Sequence, residues 1–283
     1  MDFRDKVVVV TGASSGIGEA TAEAFARRGA VVVGVARRQE RLERLAERCR
    51  EHSPRSGHLA GDLGEQGFAE EIVAKTVERH GRIDGLVNNA AIPKHKLVWH
   101  VTAEEARRVL EVNTLSCMWS TLAALPHLRA AGSGFVVNVS SFAGRVVPPR
   151  EAIYAASKAA MSAFTEGLWL DLQGSGVHAL LVIPGAIDTE IWDKLEEPPA
   201  FKGKKIPASD VADAILVALE KGRRQITVPK RNAGLLTASF LRFALPGVLR
   251  LGMERMDPVA REVVERARKR ARSGRRLGDA DED

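Results

Sequence analysis

Tyr154 and Lys158 stand four positions apart in the run Tyr154-Ala155-Ala156-Ser157-Lys158. On a helix, such residues share one face with Cβ atoms about 6 Å apart. A lysine cation there favours the phenolate and lowers the tyrosine pKa from about 10 toward working pH. Proton donation and acceptance is the chemistry expected of Tyr154. A lone Tyr–Lys pair is common on helix surfaces, so its company matters. Ser141 lies 13 positions upstream, a hydroxyl that could orient a polar substrate atom. Near the chain start, Thr11-Gly12-Ala13-Ser14-Ser15-Gly16-Ile17-Gly18 separates an apolar strand from a helix-like run. Glycines there let the backbone turn sharply against a phosphate, and the helix N-terminus offers free N–H groups. Such a turn could also serve packing alone, but a dinucleotide fold needs it at this place.

The elements that must position these groups alternate. Strand-like apolar runs cover 7–11, 30–36, 58–60, 85–88, 135–139, 178–183 and 225–228, with amphipathic stretches at 17–28, 38–51, 65–80, 103–129, 153–173 and a capped helix at 209–220. Strands apolar on both faces and separated by helices predict a parallel sheet covered on both sides. The expected architecture is α/β: one Rossmann-like, doubly wound domain over residues 1–230 and a helical, basic C-terminal extension over 231–283. No repeat or low-complexity linker divides the first part.

Taken together, the Thr11–Gly18 turn, Asn88-Asn89-Ala90, Asn113, Ser141, Tyr154, Lys158 and Pro184-Gly185 resemble the short-chain dehydrogenase/reductase family over about four-fifths of the chain. The resemblance implies a mostly parallel seven-stranded sheet and nicotinamide chemistry without a metal. Tyr154 would be the acid in carbonyl reduction and the base in alcohol oxidation. Lys158 would bind the nicotinamide ribose, Ser141 the substrate oxygen, and Asn113 a water relaying protons from Lys158. Gly12, Ser14, Ser15, Gly16, Ile17 and Gly18 would cradle the diphosphate, and Asp62-Leu63 would meet the adenine, although Asp62 could equally cap the next helix. Asn89 and Ala90 would border the nicotinamide, or Asn89 would simply stabilise the strand end beside it; Pro184, Gly185, Ile187 and Thr189 would approach the carboxamide. Ser140 competes with Ser141 for the substrate oxygen, but strand alternation sends the two hydroxyls to opposite faces. One departure stands out: Ala91 replaces the glycine usual after Asn88-Asn89-Ala90. A catalytically silent dinucleotide-binding sensor or scaffold is the alternative, and it would be expected to lose Tyr154 or Lys158.

Cofactor choice is written at the end of the second strand. A carboxylate there would bind the adenosine ribose and select NAD. Ala36 stands there instead, followed by Arg37 and Arg38. Guanidinium pairs bidentately with phosphate oxygens, so NADP(H) is expected, with Arg37 on the 2′-phosphate. Arg38 either joins it or faces water on the following helix.

Substrate loops are expected at 92–101 and 187–205, where Leu97, Trp99, Ile191, Trp192, Leu195 and Phe201 suit a hydrophobic carbonyl/alcohol compound. Apolar faces on 103–129 and 153–173 suggest a homodimer or homotetramer. No leader is legible, and Cys49 and Cys117 lack metal or redox spacing, so a cytoplasmic protein is expected. The net charge of +6 is concentrated in the tail, where 266–276 holds seven basic residues and no acid. The stretch 235–251 is too short and broken to span a bilayer. It could be a lid, a subunit arm or a peripheral membrane contact; Pro246-Gly247 favours a protein contact. Few aromatics and no reader fold speak against nucleic acid.

Overall fold

The computed structural model describes residues 1–196, 201, 203–230 and 233–256. Elements run β1 (Val7–Thr11), α1 (Gly16–Arg27), β2 (Val31–Ala36), α2 (Gln39–Arg50), β3 (Gly57–Ala60), α3 (Gln66–His80) and β4 (Gly85–Asn88). They continue through α4 (Ala103–Leu110), α5 (Ser116–Ala130), β5 (Gly134–Val139), α6 (Ala152–Asp171) and β6 (Val177–Pro184). After β6 come the short pair β7 (Ile187–Asp188) and β8 (Ile206–Pro207), then α7 (Ala208–Glu220) and β9 (Gln225–Val228). The tail folds as α8 (Ala233–Ala244) and α9 (Pro246–Met256), separated at Leu245 ahead of the helix-breaking proline.

Seven strands form one sheet in the order β3-β2-β1-β4-β5-β6-β9, and every pairing is parallel. Val8 and Val10 pack under α1, α2 and α7, whereas Val9 packs with Val33 and Val35 against α3, α5 and α6. Side chains alternate across a strand, so a run of valines feeds both cores at once. Each fully buried valine contributes about 1.5–3 kcal/mol relative to exposure, which is why the strands read as unbroken apolar runs. From β1 the chain crosses to β2 on one side, and β4 lies on the other. The crevice at the carboxyl ends of β1 and β4 is the switch point where ligands bind in such sheets.

Two local expectations change. The predicted 103–129 helix is interrupted by a π turn at Glu111–Leu115, whose wider winding carries Asn113 inward. The 209–220 helix has Pro207 at its N-cap and no side-chain cap; the preceding β7–β8 pairing holds its start instead.

Candidate active site

Gly12 and Gly16 hold φ of +67° and +59°, a left-handed conformation that glycine adopts without strain. A Cβ on Gly18 would sit 2.3 Å from the Gly12 carbonyl oxygen, and one on Gly12 would sit 2.7 Å from Asn89 Nδ2. The turn is therefore closed to side chains, and the first-turn N–H groups of α1 have no intrahelical partners. That cradle fits the diphosphate of a dinucleotide. Asn89 Nδ2 donates to the Thr11 carbonyl at 3.0 Å. Thr11 Oγ1 accepts from Asn89 N at 2.9 Å and Ala90 N at 3.1 Å and donates to the Val87 carbonyl at 3.2 Å. One buried hydroxyl thus ties the β1 turn to the end of β4. Gly185 N donates to the Val228 carbonyl at 2.8 Å, which aims the chain after Pro184 back over the crevice.

Arg38 leads into α2 and turns toward the glycine turn. Its guanidinium donates to Ser14 Oγ at 3.0 Å and Ser15 Oγ at 2.7 Å. The reading in which it faces water on the helix is corrected, because two serine hydroxyls hold it down. Arg37 is exposed and makes no hydrogen bond or ion pair with the described residues. A third participant has no signal in the sequence. Glu190, next to Thr189, accepts from Arg38 Nη1 at 2.7 Å and pairs with Arg41. Hydrogen bonds from Arg38 and Arg41 pull its carboxyl down to about 2. Thr189 sits so close that a Cβ on Gly16 would meet its methyl at 2.7 Å. Asp62 does not cap α3, where Glu65 holds the N-cap position. Its Oδ1 accepts from Gly64 N at 2.9 Å, and its Oδ2 pairs with Arg108; Leu63 is buried beside it.

Beyond β5, Ser140 and Ser141 diverge as strand alternation requires. Ser140 Oγ donates to the Lys158 carbonyl at 2.8 Å and lies 2.8 Å from Ser162 Oγ. Ser141 Oγ accepts from Ala143 N at 3.1 Å and is hydrogen-bonded to the Tyr154 phenol. Lys158, one turn along α6, is buried, and its ammonium donates to the Val139 carbonyl at 2.8 Å. The expected lowering of the tyrosine pKa is not met. Burial pushes the phenol up, the Glu151 carboxylate pushes it further, and the Ser141 hydrogen bond offsets only part. Burial also brings Lys158 down to about 8. The ammonium is engaged with a backbone oxygen, and desolvation dominates both groups.

Asn113, fully buried, accepts from Ile92 N at 2.8 Å and donates to the Ile92 carbonyl at 3.0 Å and Ser157 Oγ at 3.1 Å. Its amide clasps the start of the 92–101 loop to α6. Beneath, Asn88 Nδ2 donates to Asn138 Oδ1 at 2.8 Å, and Asn138 Nδ2 donates to Thr165 Oγ1 at 2.9 Å. This polar chain keeps the ends of β4 and β5 in register with α6. Both cysteines are buried and free, and burial raises each thiol to about 12.

The substrate side is less apolar than expected. Trp99 is exposed, and Trp192 donates its indole N–H to the Ile187 carbonyl at 2.7 Å with Lys205 Nζ 4.6 Å above its ring. Charged residues join the two loops: Lys94 bonds Glu105 at 3.0 Å and also pairs with Glu196. Buried His95 lies 3.5 Å from the Glu151 carboxylate. Thr11 was legible as part of the turn motif. Glu190, Arg41, Lys94, His95 and Asn138 carried no periodic or motif signal. Residues 197–200, 202 and 266–276, part of the second loop and the basic run, lie outside the described residues. Among the described residues no group of three or more His, Cys, Asp or Glu could hold a metal, and no helix is long and apolar enough to cross a membrane.

The short chain dehydrogenase family model matches residues 6–200. An uncharacterized oxidoreductase of Staphylococcus saprophyticus is 32% identical over 222 residues, 78% of this chain and 94% of that protein. An 11-beta-hydroxysteroid dehydrogenase 1A of Arabidopsis thaliana is 40% identical over 188 residues, 66% of this chain but 53% of that longer protein. A short-chain dehydrogenase/reductase from Burkholderia phymatum, solved with NAD, superposes with TM-score 0.78 at 26% identity, covering 86% of this chain and 94% of its own. One from Sphingobium yanoikuyae, solved with NADPH, superposes with TM-score 0.74 at 29% identity, covering 98% of this chain and 99% of its own. With the nucleotide cradle and the Ser–Tyr–Lys arrangement in place, the chain belongs to the short-chain dehydrogenase/reductase family, oxidoreductases that act on CH–OH groups with a nicotinamide dinucleotide.

Proposed function

We propose that the protein is an NADP(H)-dependent oxidoreductase interconverting a carbonyl and an alcohol, with Tyr154 as general acid and base. The observation that carries this reading is the Ser141–Tyr154 hydrogen bond, with Lys158 buried one turn away at the same crevice. A bound nicotinamide supplies the hydride. Ser141 Oγ and Tyr154 Oη hold the carbonyl oxygen, and as charge grows on it Tyr154 releases its proton to form the alcohol O–H. The phenolate left behind is expensive in a desolvated site. Lys158 would offset that charge and return the proton, and it would also hold the ribose of a bound cofactor. Asn113 supports the relay by fixing Ile92 and Ser157 around it. In oxidation the same steps run backward.

The phosphorylated cofactor is favoured by Ala36 at the end of β2 and by Arg38 at the turn, with Arg37 exposed alongside. The residues of the glycine turn, Asn89, Ala90 and Gly185 to Thr189 are the binding partners assigned. A hydrophobic substrate suits Leu97, Trp99, Ile191 and Trp192. Leu122 on α5 and Leu170 on α6 are exposed, which supports a homo-oligomer built on those helices.

The test is NADPH consumption across aliphatic, aromatic, steroid and thioester ketones, followed by Tyr154→Phe on whichever is reduced. The variant should retain cofactor binding and lose at least about 10²-fold in turnover, the usual contribution of a general acid. Near-normal turnover would remove Tyr154 from the proposed role.

A further inference from the structure

Glu190 is an acidic residue placed where the cofactor reading calls for an anion of another kind. Its two carboxylate oxygens take one arginine each, Oε2 from Arg38 and Oε1 from Arg41. The other edge of the Arg38 guanidinium is fixed on Ser14 and Ser15 of the glycine turn. Two cations and two serine hydroxyls therefore converge beside the crevice, and the carboxylate that bonds both cations comes from the segment that follows β7. An ordinary surface ion pair contributes little. This one differs in place, because the guanidinium fork that would take a phosphate is already turned onto a carboxylate. Two anions cannot share that fork without strong repulsion.

We propose that Glu190 is an internal competitor for the 2′-phosphate of the cofactor: its carboxylate holds the Arg38–Arg41 anion site and must leave before the phosphate enters. The inference rests on the NADP(H) reading above and makes Glu190 a residue that sets the ratio of NADP(H) to NAD(H) affinity. Unphosphorylated cofactor leaves the pair intact and binds without that cost. Since Glu190 follows Thr189, which packs on Gly16, its displacement loosens the segment that covers the diphosphate turn.

The experiment is calorimetric titration of the full chain and of Glu190→Gln with NADPH, NADH, 2′,5′-ADP and 5′-AMP. Glu190→Gln removes the charge and keeps the shape. NADPH and 2′,5′-ADP should bind about tenfold more tightly to the variant, as expected for release of a charge-assisted contact, while NADH and 5′-AMP stay unchanged. Glu190→Ala should move the same ligands in the same direction, which separates loss of charge from a local rearrangement. If the natural protein prefers the phosphorylated ligands but neither variant strengthens them, the competitor role is overturned and the cofactor reading stands. If only the variants prefer them, Glu190 is the competitor and the natural protein is not NADP(H)-selective. If neither protein distinguishes the two ligand classes, both readings fall.

Discussion

Replacing Lys158 by methionine should change stability in a way that depends on pH with a known sign. Lys158 is 2% exposed, and its ammonium donates to the Val139 carbonyl at 2.8 Å. Burial lowers its pKa from 10.5 to about 8, which at about 1.4 kcal/mol per pKa unit makes a cost of about 3 kcal/mol for holding the charge. The folded protein binds fewer protons than the unfolded chain between those two values, so this group makes stability rise with pH there. Below about pH 8 the whole cost is present. Methionine of similar length removes it but leaves the Val139 oxygen unpaired, a loss of roughly 1–3 kcal/mol. At neutral pH the variant should thus be as stable as the natural protein or slightly more so, although inactive. As pH rises through the window, the natural protein should gain on the variant by up to about 3 kcal/mol. Urea midpoints and slopes for both proteins, from about pH 7 to about pH 10, measure that difference directly. Groups common to both proteins cancel, apart from Cys117, which senses the Lys158 charge. A difference that stays flat, or that runs in the opposite direction, would refute the reasoning about the buried cation.

Other consequences are simpler. Gly18→Ala should weaken dinucleotide affinity more than about tenfold by forcing the turn off Asn89, whereas Gly67→Ala on α3, with nothing within 4 Å, should stabilise by up to about 1 kcal/mol; equal effects on binding would contradict the cradle geometry. Asn138→Ala leaves Asn88 and Thr165 without a shared partner and should cost about 2–4 kcal/mol in chemical denaturation; a loss within error would show that the polar chain is dispensable. For the tail, Phe240 and Phe243 on α8 are exposed, yet Arg242 bonds the Arg145 carbonyl near the site. Co-sedimentation with anionic vesicles should therefore be weak and no better than that of a chain cut after Arg231, while the cut should lower substrate affinity or oligomer size. Strong, salt-sensitive vesicle binding lost on truncation would favour the membrane reading instead.

Much of this architecture is written locally. Valine runs such as Val7–Val10 can satisfy both faces only inside a covered parallel sheet, and the helix spacing between them forces the crossovers. The Thr11–Gly18 turn and the Tyr154–Lys158 spacing are likewise short-range facts, because each depends on backbone freedom or helical periodicity within a few residues. The direction of the Ser140 and Ser141 side chains follows from strand alternation alone. What remained outside reach depends on contacts between distant segments. Arg37 and Arg38 are adjacent in the chain, and only the approach of Ser14, Ser15 and Glu190 decides that Arg38 is the one turned to the crevice. The π turn that buries Asn113 answers to Ile92 and Ser157, neither of which has a signal pointing to it. Tyr154 and Lys158 have the same sequence spacing whether exposed or buried. Their pKa values go up and down respectively because the folded protein removes water from both, with the Glu151 carboxylate adding to the rise of the phenol. Sequence determines which groups can meet along one element; desolvation and cross-element contact, which exist only once the chain is packed, decide how those groups are charged and what they face.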